Sequence, residues 1–106
     1  MIMVNTENIP GENIKSSLGL VRGNTIRARH VGKDIIAGLR AIVGGEIIEY
    51  TKLIAEAREQ AVDRMVNEAE QLNADAIINV RFTTSVIMGG AAELLAYGTA
   101  VKLGKP

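Results

Sequence analysis

The chain of 106 residues carries 12 basic and 12 acidic side chains, one histidine, no cysteine and no tryptophan. That inventory excludes a disulfide frame, a thiolate nucleophile, a cysteine-based zinc or iron–sulfur site and an intrachain cluster of histidine ligands. With only Tyr50, Phe82 and Tyr97 as aromatics and a net charge of zero, stacked bases, flat cofactors and nucleic acid are poor candidates for partners.

At 47% hydrophobic residues, one globular domain over residues 1–106 is expected. Met1-Ile2-Met3-Val4 lacks the basic region and the apolar run of about 7–15 residues of a secretory signal. No segment approaches the ~20 apolar residues that span a bilayer. The expectation is a cytoplasmic protein without membrane contact.

Residues 2–5 suit a short strand, and Pro10-Gly11 signals a turn. From Ile14 to His30 no helical period appears, and the segment reads as a long strand. Alternation sets Val21, Thr25, Arg27 and Arg29 on one face and Leu18, Leu20, Ile26 and Ala28 on the other. Gly19 and Gly23, inside that strand, predict a bulge or a close backbone approach. Gly32 to Val43 reads as a short helix, with Ile35, Leu39 and Ile42 in period and Gly44-Gly45 ending it.

The longest periodic stretch runs from Glu46 to Leu72. Ile47, Tyr50, Ile54, Ala57, Ala61, Met65, Ala69 and Leu72 recur in steps of three or four, which predicts an amphipathic helix about 40 Å long. Ile48, Ala55, Val62 and Val66 form a second row. Asn73 follows as a candidate left-handed cap. Ala76 to Met88 then alternates, with Ile78, Val80, Phe82, Thr84, Val86 and Met88 on one face. Gly89-Gly90 signals a hairpin. Ala91 to Leu103 is the return strand, one face of which is small (Ala92, Ala96, Gly98, Ala100) and so suited to a close-lying helix.

The elements predict an α+β fold, a three-stranded antiparallel sheet with helices on one face. Such a sheet leaves two edges and one face uncovered, which points to self-association. Charge is divided in the same sense: residues 13–45 carry a balance of +5 and residues 46–75 a balance of −5. Either these are two solvated faces, or the basic strand of one subunit meets the acidic helix of another.

Several blocks also carry a family likeness: Leu18-Gly-Leu-Val-Arg-Gly-Asn-Thr25, Gly44-Gly-Glu-Ile-Ile-Glu-Tyr-Thr51, Glu56-Ala-Arg58, Ala74-Asp-Ala-Ile-Ile-Asn-Val-Arg81 and Ala96-Tyr-Gly-Thr-Ala-Val101. Together, and in this order from about Ile2 to Leu103, they resemble the YbjQ-like family, which carries a heavy-metal-binding label. The resemblance implies a dodecin-like β-α-β-β subunit and a homopentameric ring, with short extra strands at the subunit contacts. Asn73 stands where the family commonly has glycine. Both residues tolerate a positive φ.

Chemistry-bearing clusters are few. His30 is the only candidate metal ligand, and it would need donors from other chains or a carboxylate such as Asp34. A soft metal prefers thiolate or thioether donors, and Met1, Met3, Met65 and Met88 are not clustered in the sequence. Met65 and Met88 read as core. Gly44-Gly45-Glu46 reads as a cap and turn, since an anion-binding loop is opposed by Glu46. Glu46 and Glu49 suit the first turn of a helix. Arg58 suits a salt bridge within or between subunits. Ser16-Ser17 has no paired base. No catalytic site and no cofactor are therefore expected. The expectation is a self-associating binding or scaffold protein, the alternative a metal-handling protein with its site between subunits.

Overall fold

The structure, a computed structural model, describes residues 1–27, 46–87 and 91–104. The expected short helix over Gly32–Val43, His30, Met88 and the Gly89-Gly90 turn lie outside these residues. The described elements are β1 (Ile2–Met3), β2 (Ile14–Arg27), α1 (Glu46–Gln71), β3 (Ala76–Ile87) and β4 (Ala91–Leu103).

One helix lies on a four-stranded mixed sheet of order β1-β3-β4-β2. The three long strands are antiparallel neighbours, as expected. The sheet is nonetheless not three-stranded: β1 joins it by pairing parallel to β3, Ile2 opposite Ala76 and Met3 opposite Ile77. The pairing extends past β1. Val4 donates its N–H to the Ile77 carbonyl at 3.0 Å, while the N–H groups of Val80 and Asn79 donate to the carbonyls of Val4 and Thr6, each at 3.0 Å.

Register shifts interrupt the pairing at three places, between Ile14 and Ser16, between Ser17 and Gly19, and between Ile78 and Arg81. At β2, register shifts between Ser17 and Gly19, where Gly19 has φ of 115°. Leu18 therefore packs against the core with Val21, opposite to its expected side. In β3, Asn79 and Val80 together oppose Gly98, and Asn79 adopts φ of 54°. Ile78 thus lies on the face away from the helix, whereas Val80 and Phe82 lie on the helix side. A bulge adds one residue to one strand and inverts alternation beyond it. The orphaned N–H groups of both bulge residues in β3 are those taken up by the N-terminal segment.

The main core is built from α1 and the sheet. Ala57, Ala61, Met65 and Ala69 are fully buried against Val21, Ile77, Ala96 and Ala100. The small face expected on β4 is the face the helix covers. The closest approach falls on β2, where a Cβ built on Gly23 would stand 2.1 Å from the Ala61 carbonyl oxygen. Glycine is required there by backbone proximity rather than by φ. A smaller cluster on the other sheet face joins Ile9, Ala76, Ile78 and Val101. The turn before it places Gly11 at φ of 83°, with Glu12 N–H donating to the Ile9 carbonyl at 3.0 Å, the pattern of a type II turn with Pro10 ahead of glycine.

The helix ends as its sequence dictates. Asn73 takes φ of 59°. Its N–H donates to the Glu70 carbonyl at 2.9 Å, and that of Ala74 to the Ala69 carbonyl at 3.1 Å. This pair of bonds is the Schellman arrangement, which satisfies two carbonyls at the helix end. Asp75 then ties the turn to β4: its Oδ2 accepts the Leu103 N–H at 2.9 Å, and its Oδ1 lies 3.6 Å from Lys102 Nζ.

Candidate functional site

The helix does not sit centrally on the sheet. Gly23 and Thr25 anchor it over β2, where Thr25 Oγ1 donates to the Ala57 carbonyl at 3.1 Å from a buried position. Arg64 Nη1, on the outer flank of the helix, donates to the Asn24 carbonyl on the same strand. The helix therefore covers β2, β4 and the start of β3 at Ile77, and among the described residues the same face of β3 is left open at Phe82 and Thr84. Between the inner flank of α1 and β3 lies a groove of about 390 Å³, lined by Ala55, Arg58, Glu59, Val62, Asp63 and Phe82. Phe82, the chain's only phenylalanine, is 49% exposed there.

The groove adjoins an unpaired strand edge. Residues 2–6 occupy the outer edge of β3 as far as Val80, and Arg81 Nη1 donates to the Asn5 carbonyl at 2.6 Å. From Phe82 to Ile87 that edge has no partner strand among the described residues. At the opposite side of the sheet β2 is likewise an edge strand. On the face away from the helix, Leu20 and Ile26 are 61% and 58% exposed, and Tyr97 stands in register between Arg22 and Arg81.

Of the residues singled out in the sequence, Arg58 is exposed on the groove rim, and among the described residues no intrachain ion pair engages it. Met65 is buried core, as read. Ser16 and Ser17 are exposed on β2, opposite Lys102 and Val101. Glu46 opens the helix as expected. Phe82 and the groove were not singled out by sequence reasoning. The available signal was an aromatic on a strand whose neighbours Thr83, Thr84 and Ser85 are polar.

A metal finds no ready donor set in these residues. Among the described residues no group of three or more His, Asp or Glu side chains converges. The Met65 thioether is sealed among Val21, Ala61 and Ala69, and Met1 and Met3 lie exposed on β1. Nor is any described helix long and apolar enough to cross a membrane.

Comparison with known proteins places the chain. A family model described as "Putative heavy-metal-binding" matches residues 1–104. A UPF0145 protein of Methanosarcina acetivorans is 58% identical over 97% of both chains. One from Archaeoglobus fulgidus is 60% identical, covering 97% of this chain and 95% of the other. Among solved structures, a protein of unknown function from Pediococcus pentosaceus, assigned to the DUF74 family, superposes over 98% of each chain with a TM-score of 0.65 at 17% identity. That last likeness is one of fold.

Proposed function

This chain belongs to the YbjQ-like family, and we propose that it works as a homo-oligomeric binding or scaffold protein of the cytoplasm rather than as an enzyme. The observation that carries the reading is the apolar surface and the open strand edges of the single chain. Leu20 and Ile26 are 61% and 58% exposed on one face of the sheet and Phe82 is 49% exposed on the other. Among the described residues, β2 and the Phe82–Ile87 stretch of β3 are edges without a partner strand.

Two separate open edges of one chain offer room for two interface patches, each of the ~800 Å² typical of one partner's share. Two patches on different parts of one chain form a heterologous contact, which closes into a ring when the rotation permits. The pentamer implied by the family resemblance, with its dodecin-like subunit, is such a ring. Native mass spectrometry tests the reading. The expected species is a closed assembly of five chains, and a spectrum dominated by single chains would overturn it.

The family's label supports a second reading, in which a metal is held between subunits by His30 and carboxylates from neighbouring chains. Titration calorimetry with zinc, copper and nickel tests it. The reading requires micromolar or tighter binding that His30→Ala removes, and equal heats from both proteins would dismiss it.

A further inference from the structure

We propose that the face of the sheet away from the helix binds a phosphoryl group over Tyr97, held between Arg22 and Arg81. The inference gives a ligand class to the binding role proposed above. It concerns side chains of one chain and does not depend on how copies meet.

The first observation is a cross-strand row. Tyr97 of β4 stands opposite Arg22 of β2 on one side and Arg81 of β3 on the other. Side chains directly opposite share a face, and the neighbours Val21 and Ala96 take the core side, so the row lies on the open side. Strands about 4.8 Å apart set the two arginine Cα atoms about 10 Å apart. Both arginines are exposed, and Tyr97 between them is half-buried.

The second observation is how the arginines reach this face. Ser17 pairs with Val101 and so lies on the open side, as does Ile78. Uninterrupted alternation from Ser17 would turn Arg22 toward the helix, and from Ile78 it would do the same to Arg81. Each strand instead shifts register in between, with Gly19 at φ of 115° and Asn79 at φ of 54°. A positive φ is costly for a residue with a Cβ. Bulges that re-aim a side chain gather beside functional sites. Here two of them bring two arginines to one tyrosine.

The third observation is charge without a partner. Among the described residues neither arginine makes an ion pair. Glu93 is the one acid in the three long strands. It stands two rows away, where its Oε2 accepts from Asn24 Nδ2 at 3.1 Å. Arg81 is oriented through a single nitrogen: Nη1 donates to the Asn5 carbonyl at 2.6 Å and to the Val80 carbonyl at 3.1 Å. Among the described residues its Nε and Nη2 are left for a ligand, as is the whole guanidinium of Arg22.

Two guanidinium groups match the charge of about −1.5 to −2 that a phosphoryl group carries at pH 7. Their forked donors suit its oxygens, and the Tyr97 hydroxyl can donate to another. A lone carboxylate would use one fork and leave the second charge unmatched.

Isothermal titration calorimetry of the full chain at low salt tests the site, with inorganic phosphate, glycerol phosphate and succinate as probes. Saturable phosphate binding at about 1 mM or tighter is expected. Arg22→Gln and Arg81→Gln should each weaken it by about tenfold or more, the loss for a hydrogen bond to a charged group. Arg22→Lys should recover only part, since it keeps the charge without the fork. Lys15→Gln, the same charge change at the other end of β2, should have no effect. Arg22→Gln removes no ion pair within the described chain, and circular dichroism checks that its fold is kept.

Tighter binding of glycerol phosphate than of phosphate would support the site with a phosphorylated small molecule as occupant, and equal affinities would support it with free phosphate. Succinate binding as tightly as phosphate would overturn the phosphoryl assignment. Phosphate heats unchanged in both Arg→Gln variants, or no saturation by either phosphate, would overturn the site. Light scattering on the same samples keeps the two readings apart. An assembled protein that ignores phosphate leaves the oligomeric reading standing, and a single chain that binds it leaves the site standing.

Discussion

Gly23 and Ala61 meet backbone to backbone: a Cβ on Gly23 would lie 2.1 Å from the Ala61 carbonyl oxygen and 2.4 Å from the Met65 nitrogen. Neither atom belongs to a flexible side chain, so a methyl group at this position can be accommodated only by lifting the helix off β2. Gly23→Ala is expected to destabilise the fold by about 3 kcal/mol or more, at the upper end of overpacking penalties. Urea denaturation followed by circular dichroism reads this directly. A midpoint unchanged from wild type would mean that the helix does not lie this close.

Thr25 is the polar counterpart of that contact. Its hydroxyl donates to the Ala57 carbonyl from a buried site. Thr25→Val keeps the shape and removes the donor, and the expected cost is about 1 kcal/mol, the usual net value of one such bond. Thr25→Ser keeps the donor but loses a buried methyl. If Thr25→Val proves more stable than wild type, the hydroxyl does not anchor the helix.

At the end of the helix, Asn73 holds a left-handed conformation at φ of 59°. Glycine adopts this without strain, whereas a Cβ costs roughly 1–2 kcal/mol there. Asn73→Gly should therefore leave thermal stability level or slightly raised, and Asn73→Ala should lower it by about 1 kcal/mol relative to Asn73→Gly. Equal melting temperatures for both variants would argue against the Schellman ending.

Phe82 makes the opposite kind of prediction, because it is half exposed in the single chain and lies outside the buried core. Phe82→Glu should scarcely alter the stability of an isolated chain, since exposed substitutions usually fall within about 0.5 kcal/mol. Under the oligomeric reading, in which exposed apolar side chains are covered between copies, it should nevertheless weaken assembly, because a carboxylate is costly to bury where a phenylalanine ring is favoured. Size-exclusion chromatography together with far-ultraviolet circular dichroism separates the two effects: a later elution with an unchanged helical signal is expected. An assembly that survives the substitution would show that Phe82 is not covered between copies.

The elements were largely legible from local pattern. The helical period from Ile54 to Ala69, the small face of β4 and the left-handed Asn73 follow directly from residue spacing and backbone chemistry. Gly19 and Gly23 were readable as a bulge or a close approach, and each turned out to be one of these. Pairing and face assignments past a bulge were less accessible. Asn79 carries no mark that separates a bulge from an ordinary strand position, and its extra residue moves Ile78 to one face and Phe82 to the other. The parallel pairing of β1 with β3 joins Ile2 to Ala76, a match that no local period encodes. The groove is harder still to read, since it arises from where the helix lies across the sheet. That position is set at Gly23 and Thr25, yet it exposes Phe82, two strands away.

The most direct test of the account is the solution mass of the unmodified protein at micromolar concentration, measured by multi-angle light scattering. The exposed apolar side chains and the two edges left unpaired among the described residues predict a stable assembly, five times the 11.3 kDa chain if the ring implied by the family resemblance forms. A single species at 11.3 kDa would contradict the account.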